Sequence, residues 1–368
     1  MNTPEGLKQP VLGIVATVVA VLIAVSILLW FSPESIGSWV TFLFISAIPT
    51  QIILSLVWGG NYPPPAARLE QPVKGLYLLA LTALCGIVVA GWVRKMVPGF
   101  FPFPGPVQNH FIILTVVTTL WLVVVWQCWP CAAIKKHPAF VGIGTLLLAY
   151  AVNWLVFRGF WNFGVMAQAP FYVASADPQG LFSFDLSMAF AVTTVGVILA
   201  MVLLDMWPLG SLAARVPALG KQPVWGVAMS VLVLVLSWVI YQVFVGVLGM
   251  DPTQFLVRVS VSWIFGEFIV LLMMQTAPFQ TLRQPLKGLL LVASSAVLAV
   301  VMFQLYSWFA AVITGGLPRG PAAGYVFELW IASAMLGVTF PVLVLYSSFL
   351  EFWPLSEPAP GPNVPDEV

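Results

Sequence analysis

Residues 9–31 read QPVLGIVATVVAVLIAVSILLWF, twenty-three positions without a charged side chain. A helix needs about 20 apolar residues to cross a bilayer, and this run supplies them. It is too long for the core of a signal peptide, and no small-residue cleavage site follows it. We therefore read it as the first of several spans, and its opening, Gln9-Pro10-Val11-Leu12-Gly13, organises the rest of the chain.

The same opening returns. Gln71-Pro72-Val73-Lys74-Gly75, Gln222-Pro223-Val224-Trp225-Gly226 and Gln284-Pro285-Leu286-Lys287-Gly288 each start a long apolar run, and His137-Pro138 with Gly142 is a looser copy. Chance yields fewer than one Gln-Pro-x-x-Gly in a chain of this length, so recurrence at this scale marks an internal repeat. Proline suits a first helical position because its missing N–H has no partner there anyway. Glutamine is expected just outside, in the interface. Glycine one turn in lets a neighbouring helix come close. Trp129-Pro130, Trp207-Pro208 and Trp353-Pro354 close other runs, with tryptophan as interfacial anchor and proline as helix stop.

Taken at about 20 residues each, the apolar runs predict ten spans: 10–31, 38–59, 73–97, 108–129, 138–157, 184–206, 223–248, 257–275, 286–314 and 325–352. The expected fold is an all-α integral membrane protein built as five helical hairpins in one orientation, near 8–60, 70–130, 136–208, 221–278 and 283–354. Together they form a single transmembrane domain, 1–355, followed by a Pro-rich acidic tail, 356–368, expected to be disordered. With two spans per unit, every copy enters the membrane in the same direction. The copies are then related by rotation about the membrane normal. A ring around a central cavity and an irregular solid bundle both satisfy that rule.

Composition agrees. Hydrophobic residues make up 61% of the 368 and charged residues 7%, against about 25% charged in soluble domains. Sixteen Trp suit aromatic belts. The net charge of +1 carries no basic run, which removes the electrostatic basis for nucleic-acid binding. Lys8, Arg68, Lys74, Lys135, Lys136, Arg215, Lys221, Arg283 and Lys287 lie on the side of the N-terminus and the even-to-odd loops. Arg94, Lys95, Arg158, Arg258 and Arg319 lie on the other. Nine basic residues against five puts both termini in the cytoplasm, as in a bacterial inner-membrane protein.

Intramembrane polar residues are the candidate sites. Glu267 falls near the middle of the eighth span, where a charge costs at least ~2.5 kcal/mol, so it reads as a proton or substrate site or as an acid bonded to a neighbouring helix. Ser260 and Trp263 share its face. Asp185 and Glu328 mark the outer ends of spans six and ten. From Asp185 a stripe runs inward through Ala189, Thr193, Gly196 and Ala200, fit for a polar path or for close helix contact. Gln51, Asn153, Gln242 and Gln304 place amides at depth, and Pro49 and Pro341 interrupt their helices. Asp205 and Glu351 each precede a Trp-Pro pair by two residues and read as parts of the repeat.

Cys128-Trp129-Pro130-Cys131 spells C-x-x-C, a redox pair in other contexts. On a cytoplasmic face its thiols stay reduced, and the Trp-Pro between them belongs to the repeat. Cys85 reads as a packing residue. His110 and His137 stand at opposite faces, so they cannot share one haem, and no metal or cofactor is expected. The apolar outer loops, 98–106 and 158–183, read as interfacial anchors or as a lid over a cavity.

These features point first to a transporter or channel for a small molecule or ion with Glu267 at its centre. A second reading is a membrane anchor or quinone-side subunit of a larger complex, meeting protein partners through the outer aromatic loops or the C-terminal tail. A third is an intramembrane enzyme, such as a thiol oxidoreductase or lipid-modifying enzyme. The expected partner common to all three is the lipid bilayer.

Overall fold

The computed structural model describes residues 7–97, 104–168, 172–320 and 325–356. The expected disordered tail, apart from Ser356, and most of the 98–106 loop lie outside these residues.

Among the described residues, ten helices are long and apolar enough to cross a membrane. We number them α1 (Val11–Leu28), α2 (Pro33–Val57), α3 (Val73–Met96), α4 (Val107–Val125), α5 (Pro138–Phe160), α6 (Phe184–Leu203), α7 (Val224–Val247), α8 (Pro252–Met273), α9 (Leu286–Thr314) and α10 (Val326–Phe349). Their number and order match the sequence reading, and α9 is the longest. The shortest is α1, at 18 residues. The α5 helix runs on to Phe160 because Arg158 stays helical, its guanidinium 5.8 Å from the Trp154 ring.

Two helices begin five residues earlier than expected, for a local reason. Ser32 caps α2, accepting from the Ser35 amide at 3.3 Å, and Asp251 caps α8, accepting from the Thr253 and Gln254 amides. In both, proline follows the cap at the first helical position. The polar first turns, holding Glu34, Ser35, Thr253 and Gln254, hid these starts from a reading based on apolar runs.

The helices form two layers. The even-numbered helices pack in succession, α2 on α4, α4 on α6, α6 on α8, α8 on α10 and α10 back on α2. Each odd-numbered helix lies in a groove outside that circle. The α5 helix covers the groove between α2 and α4, α7 that between α4 and α6, α9 that between α6 and α8, α1 that between α8 and α10, and α3 that between α10 and α2. Burial follows the layers: 50–78% of the most apolar window is buried in the even-numbered helices, against 17–39% in the odd-numbered ones.

The five even-numbered helices end alike. After Val57, Val125, Leu203, Met273 and Phe349 comes one residue and then two successive residues of positive φ: Gly59-Gly60, Gln127-Cys128, Asp205-Met206, Gln275-Thr276 and Glu351-Phe352. The second of each pair donates its amide back into the last turn, as Thr276 does to Val270 O at 3.0 Å and Phe352 to Tyr346 O at 2.9 Å. This left-handed turn satisfies carbonyls that the helix end would otherwise orphan. It corrects the reading of Trp-Pro as the stop: the helices end before it, and α2 and α8 end the same way without it.

The glutamines do more than flank the helix starts. Each grips a neighbouring helix end. Gln9 Nε2 donates to Met273 O at 2.9 Å, Gln71 Nε2 to Phe349 O at 2.7 Å, Gln222 Nε2 to Val125 O at 3.2 Å and Gln284 Nε2 to Leu203 O at 3.2 Å. In three of them the side-chain oxygen also accepts from the motif glycine's amide. The glycine is needed for the approach: a Cβ on Gly288 would stand 2.8 Å from Leu203 O. Where His137 replaces glutamine the donor changes sides, and Trp58 Nε1 reaches Pro138 O at 2.8 Å.

Between α5 and α6 the chain folds inward. Trp161–Asn162 pairs in parallel with Phe182–Ser183. Asp177 organises the turn, accepting from the Phe163 and Gln179 amides and from the Tyr172 hydroxyl. That last bond pushes the Tyr172 phenol above its ordinary value. Trp161 and Phe163 are buried, whereas Phe160 and Phe182 stack on each other and stay exposed. The loop's aromatic residues therefore divide between buried and exposed positions; Phe171 lies outside the described residues.

Candidate functional site

Inside the circle of even-numbered helices lies a cavity of about 220 Å³. All its lining residues come from α2, α4, α6, α8 and α10. Each helix presents one stripe at spacings of three and four, the signature of a single helix face. The stripes run through Thr41, Ile45 and Ile48 on α2, His110, Ile113, Val117 and Leu120 on α4, and Met188, Val192 and Val195 on α6. They continue through Val261, Ile264 and Phe268 on α8 and Leu329, Ser333, Leu336 and Phe340 on α10.

Three stripes cover the same interval, residues 37 to 48, 109 to 120 and 329 to 340. Eleven residues at 1.5 Å per residue make the cavity roughly 16 Å deep. At its mouth His110 meets the ring of Phe184 edge-on, 4.6 Å between centroids, with Phe163 of the inward-folded loop behind it. At its floor Phe268 and Phe340 stack at 4.1 Å. Among the described residues, no carboxylate and no Lys or Arg lines it.

The sequence-derived candidates are scattered around this cavity. Glu267 is fully buried on α8, one residue before Phe268, and is not part of the lining. Neither of its carboxyl oxygens has a hydrogen-bond partner. Its neighbour Gly266 packs directly on the backbone of Ser295 in α9. Thr193 and Ser260 are brought together, their hydroxyl oxygens 2.7 Å apart between α6 and α8. Gly196 of the Asp185 stripe serves the same contact, packed against the Trp263 ring. The cavity-lining stripe of α6 is the adjacent face, Met188, Val192 and Val195.

Asp185 bonds Ser183 Oγ at the end of α6. Glu328 is buried in α10 and accepts weakly from the Gly320 amide at 3.4 Å, leaving its other oxygen without a partner. Gln51 lies three residues beyond Ile48, under the cavity floor, where it reaches Pro341 O at 3.4 Å. Asn153 ties α5 to α4 through Phe111 O and Thr115 Oγ1. Of the seven candidates, then, none lines the cavity, and Thr193 with Ser260 is the pair in direct contact.

Cys128, Cys131 and Cys85 are all free. Cys128 occupies a left-handed position of the α4 end, and Cys131 packs against Gly144, so structure accounts for both. Among the described residues no three His, Cys, Asp or Glu side chains group as metal ligands.

Sequence reasoning missed Thr41, Asn109 and Ser333 as lining residues. A signal was present: hydroxyl and amide side chains concentrate in the even-numbered helices, as in Thr41, Ser46, Thr50 and Gln51 of α2. No family model, no curated protein and no solved structure matches the chain.

Proposed function

We propose that this chain is a multi-pass membrane transporter that takes a small uncharged solute into the central cavity. One observation carries the reading: a partly open central cavity to which each even-numbered helix contributes one face, lined by no carboxylate, Lys or Arg among the described residues. A cavity about 16 Å deep, walled mostly by Val, Ile, Leu and Phe and holding no carboxylate, Lys or Arg among the described residues, disfavours an ion, whose desolvation is costly without a partner of opposite charge. For that reason the cavity, rather than Glu267, is the solute site in this reading. The ten apolar helices support membrane insertion, and the exposed aliphatic faces of the odd-numbered helices supply a surface for lipid.

The five-hairpin repeat belongs to the same proposal. Numbering the hairpins one to five along the chain, the odd helix of each clasps the even helix two hairpins back, and the count runs on past the N-terminus to close the circle. One rule applied five times supports rotation about an axis along the membrane normal. With the positive-inside asymmetry, the clasps face the cytoplasm and the cavity mouth faces outward.

The test is binding of labelled toluene to the purified full-length protein in lipid nanodiscs, corrected for uptake by empty discs. One saturable site per chain, lost in both Val192→Phe and Ile264→Phe with folding intact by circular dichroism, is the expected result. Uptake no greater than that of empty discs removes the cavity as a solute site.

A further inference from the structure

The central cavity is long for its volume. A compact space of about 220 Å³ would be roughly 7.5 Å across, whereas this one runs about 16 Å along the helices. Its lining shows the same elongation. The α2, α4 and α10 helices each contribute about three turns of one face, and α8 lines it from Leu256 down to Phe268. Spread over that depth, the volume leaves a mean cross-section of about 14 Å². A methylene chain, with carbon contact distances near 4 Å, covers about 12 Å².

The wall is aliphatic down its length, with Ile45, Val117, Val192, Ile264 and Leu336 facing the space from the five helices. Nine of the lining residues are Val or Ile. Branching at Cβ restricts their rotation at χ1, so the bore is held narrow rather than widened by a change of rotamer. The two ends differ. Phe268 and Phe340 stack across the inner end at 4.1 Å. At the outer end stands His110, half-buried among the rings of Trp161, Phe163 and Phe184.

We propose that the cavity holds one unbranched hydrocarbon chain, its methyl end on the Phe268–Phe340 floor and an uncharged polar end at the mouth beside His110. The solute class is then a straight-chain amphiphile such as a fatty alcohol. This rests on the cavity being the solute site and narrows what enters it. Depth sets the length: an extended chain advances about 1.2 Å per bond, so the cavity takes ten to twelve carbons. A shorter chain leaves part of the wall without contacts. A longer one drives methylenes past His110 into the polar mouth, at roughly fourfold in affinity for each.

Shape is tested with n-decanol and cyclodecanol, which have equal carbon counts. Displacement of labelled toluene from the full-length protein in nanodiscs is measured for each, at equal mole fractions in the disc lipid. The expected result is n-decanol acting at about a tenth of the cyclodecanol mole fraction. Along the n-alkanol series, displacement should strengthen up to about ten to twelve carbons and weaken beyond, by roughly fourfold per carbon. Leu120→Phe adds bulk near the floor. It should shift that optimum down by about two carbons, with toluene still bound and folding intact by circular dichroism. Equal displacement by the two ten-carbon alcohols, or preference for cyclodecanol, overturns the chain-shaped site but leaves the cavity as a solute site. So does indifference to chain length, or an optimum that Leu120→Phe leaves in place. If toluene itself shows no site above empty discs, the failure lies in the function reading.

Discussion

The Gln9 side-chain amide donates to the Met273 carbonyl oxygen at 2.9 Å, although 264 residues separate them. This bond fastens the first long helix to the end of the eighth, and Gln71 does the same for α3 on α10 across 278 residues. Between them these two clasps join the N-terminal helices to the C-terminal ones.

The clasps should be measurable as stability. Gln9→Ala or Gln284→Ala removes a donor and leaves a helix-end carbonyl without it, so each should cost about 1–2 kcal/mol of unfolding free energy in detergent. Gly288→Leu should cost more, because the added side chain must displace the backbone of Leu203 and Leu204. Gln304→Ala, at an exposed position on α9, is the control and should fall within about 0.5 kcal/mol. If Gln284→Ala behaves like Gln304→Ala, the clasp contributes nothing.

Thr193 and Ser260 offer a cleaner measurement. A double-mutant cycle of Thr193→Val and Ser260→Ala should give a coupling near 0.6 kcal/mol and no more than about 1.7, the range for interhelical hydrogen bonds in a membrane. Additive effects would mean that the 2.7 Å approach is only packing.

Glu267 should tolerate loss of its carboxyl. Neither oxygen has a donor to lose, so Glu267→Leu should be neutral or stabilise by up to about 2 kcal/mol, and toluene binding should stay unchanged because the residue does not line the cavity. Glu267→Gln should also leave binding intact. A fall in stability above about 2 kcal/mol in Glu267→Leu would reveal a partner for the carboxyl. Loss of binding in Glu267→Gln would restore it as the central site.

The cysteine pair should be dispensable. Cys128→Ser and Cys131→Ser each keep the backbone turn and exchange a sulfur for a slightly smaller oxygen, so stability should drop by about 1 kcal/mol or less with solute binding unaltered. Lost binding at normal expression would revive redox chemistry at this site.

Sidedness can be read by cysteine labelling. Lys135→Cys should react with an impermeant reagent only in inside-out vesicles, and Gln168→Cys only in right-side-out ones. Gln168 is exposed, whereas Asp177 in the same loop is buried in three hydrogen bonds and would be a poor reporter. Labelling of Lys135→Cys from outside would invert the assignment.

The helices themselves were legible because apolar length is a property of a local stretch. So was the recurrence of Gln-Pro-x-x-Gly. What glutamine does there was not, since its partner carbonyl lies 81 to 278 residues away. The common helix ending was seen in three copies through Trp-Pro, but Gly59-Gly60 and Gln275-Thr276 share only a backbone conformation, which side-chain identity does not announce. The site was read from rare residues, and rarity drew attention to Glu267. The cavity is built instead from ordinary Val, Ile and Leu at spacings of three and four. Which of several such stripes on α6 faces inward is settled by the neighbours of α6, not by α6.

The position of α1 bears on how such a chain is made. A ribosome delivers α1 well before α8 and α10, yet the groove that receives it lies between those two. The α3 helix waits too, for the end of α10. By contrast, α5, α7 and α9 each emerge when both of their neighbours already exist. If the chain is inserted as proposed, synthesis order fixes a late step of assembly: the groove for α1 is complete only once α10 has been translated, and a chain stalled before α8 would leave α1 without it.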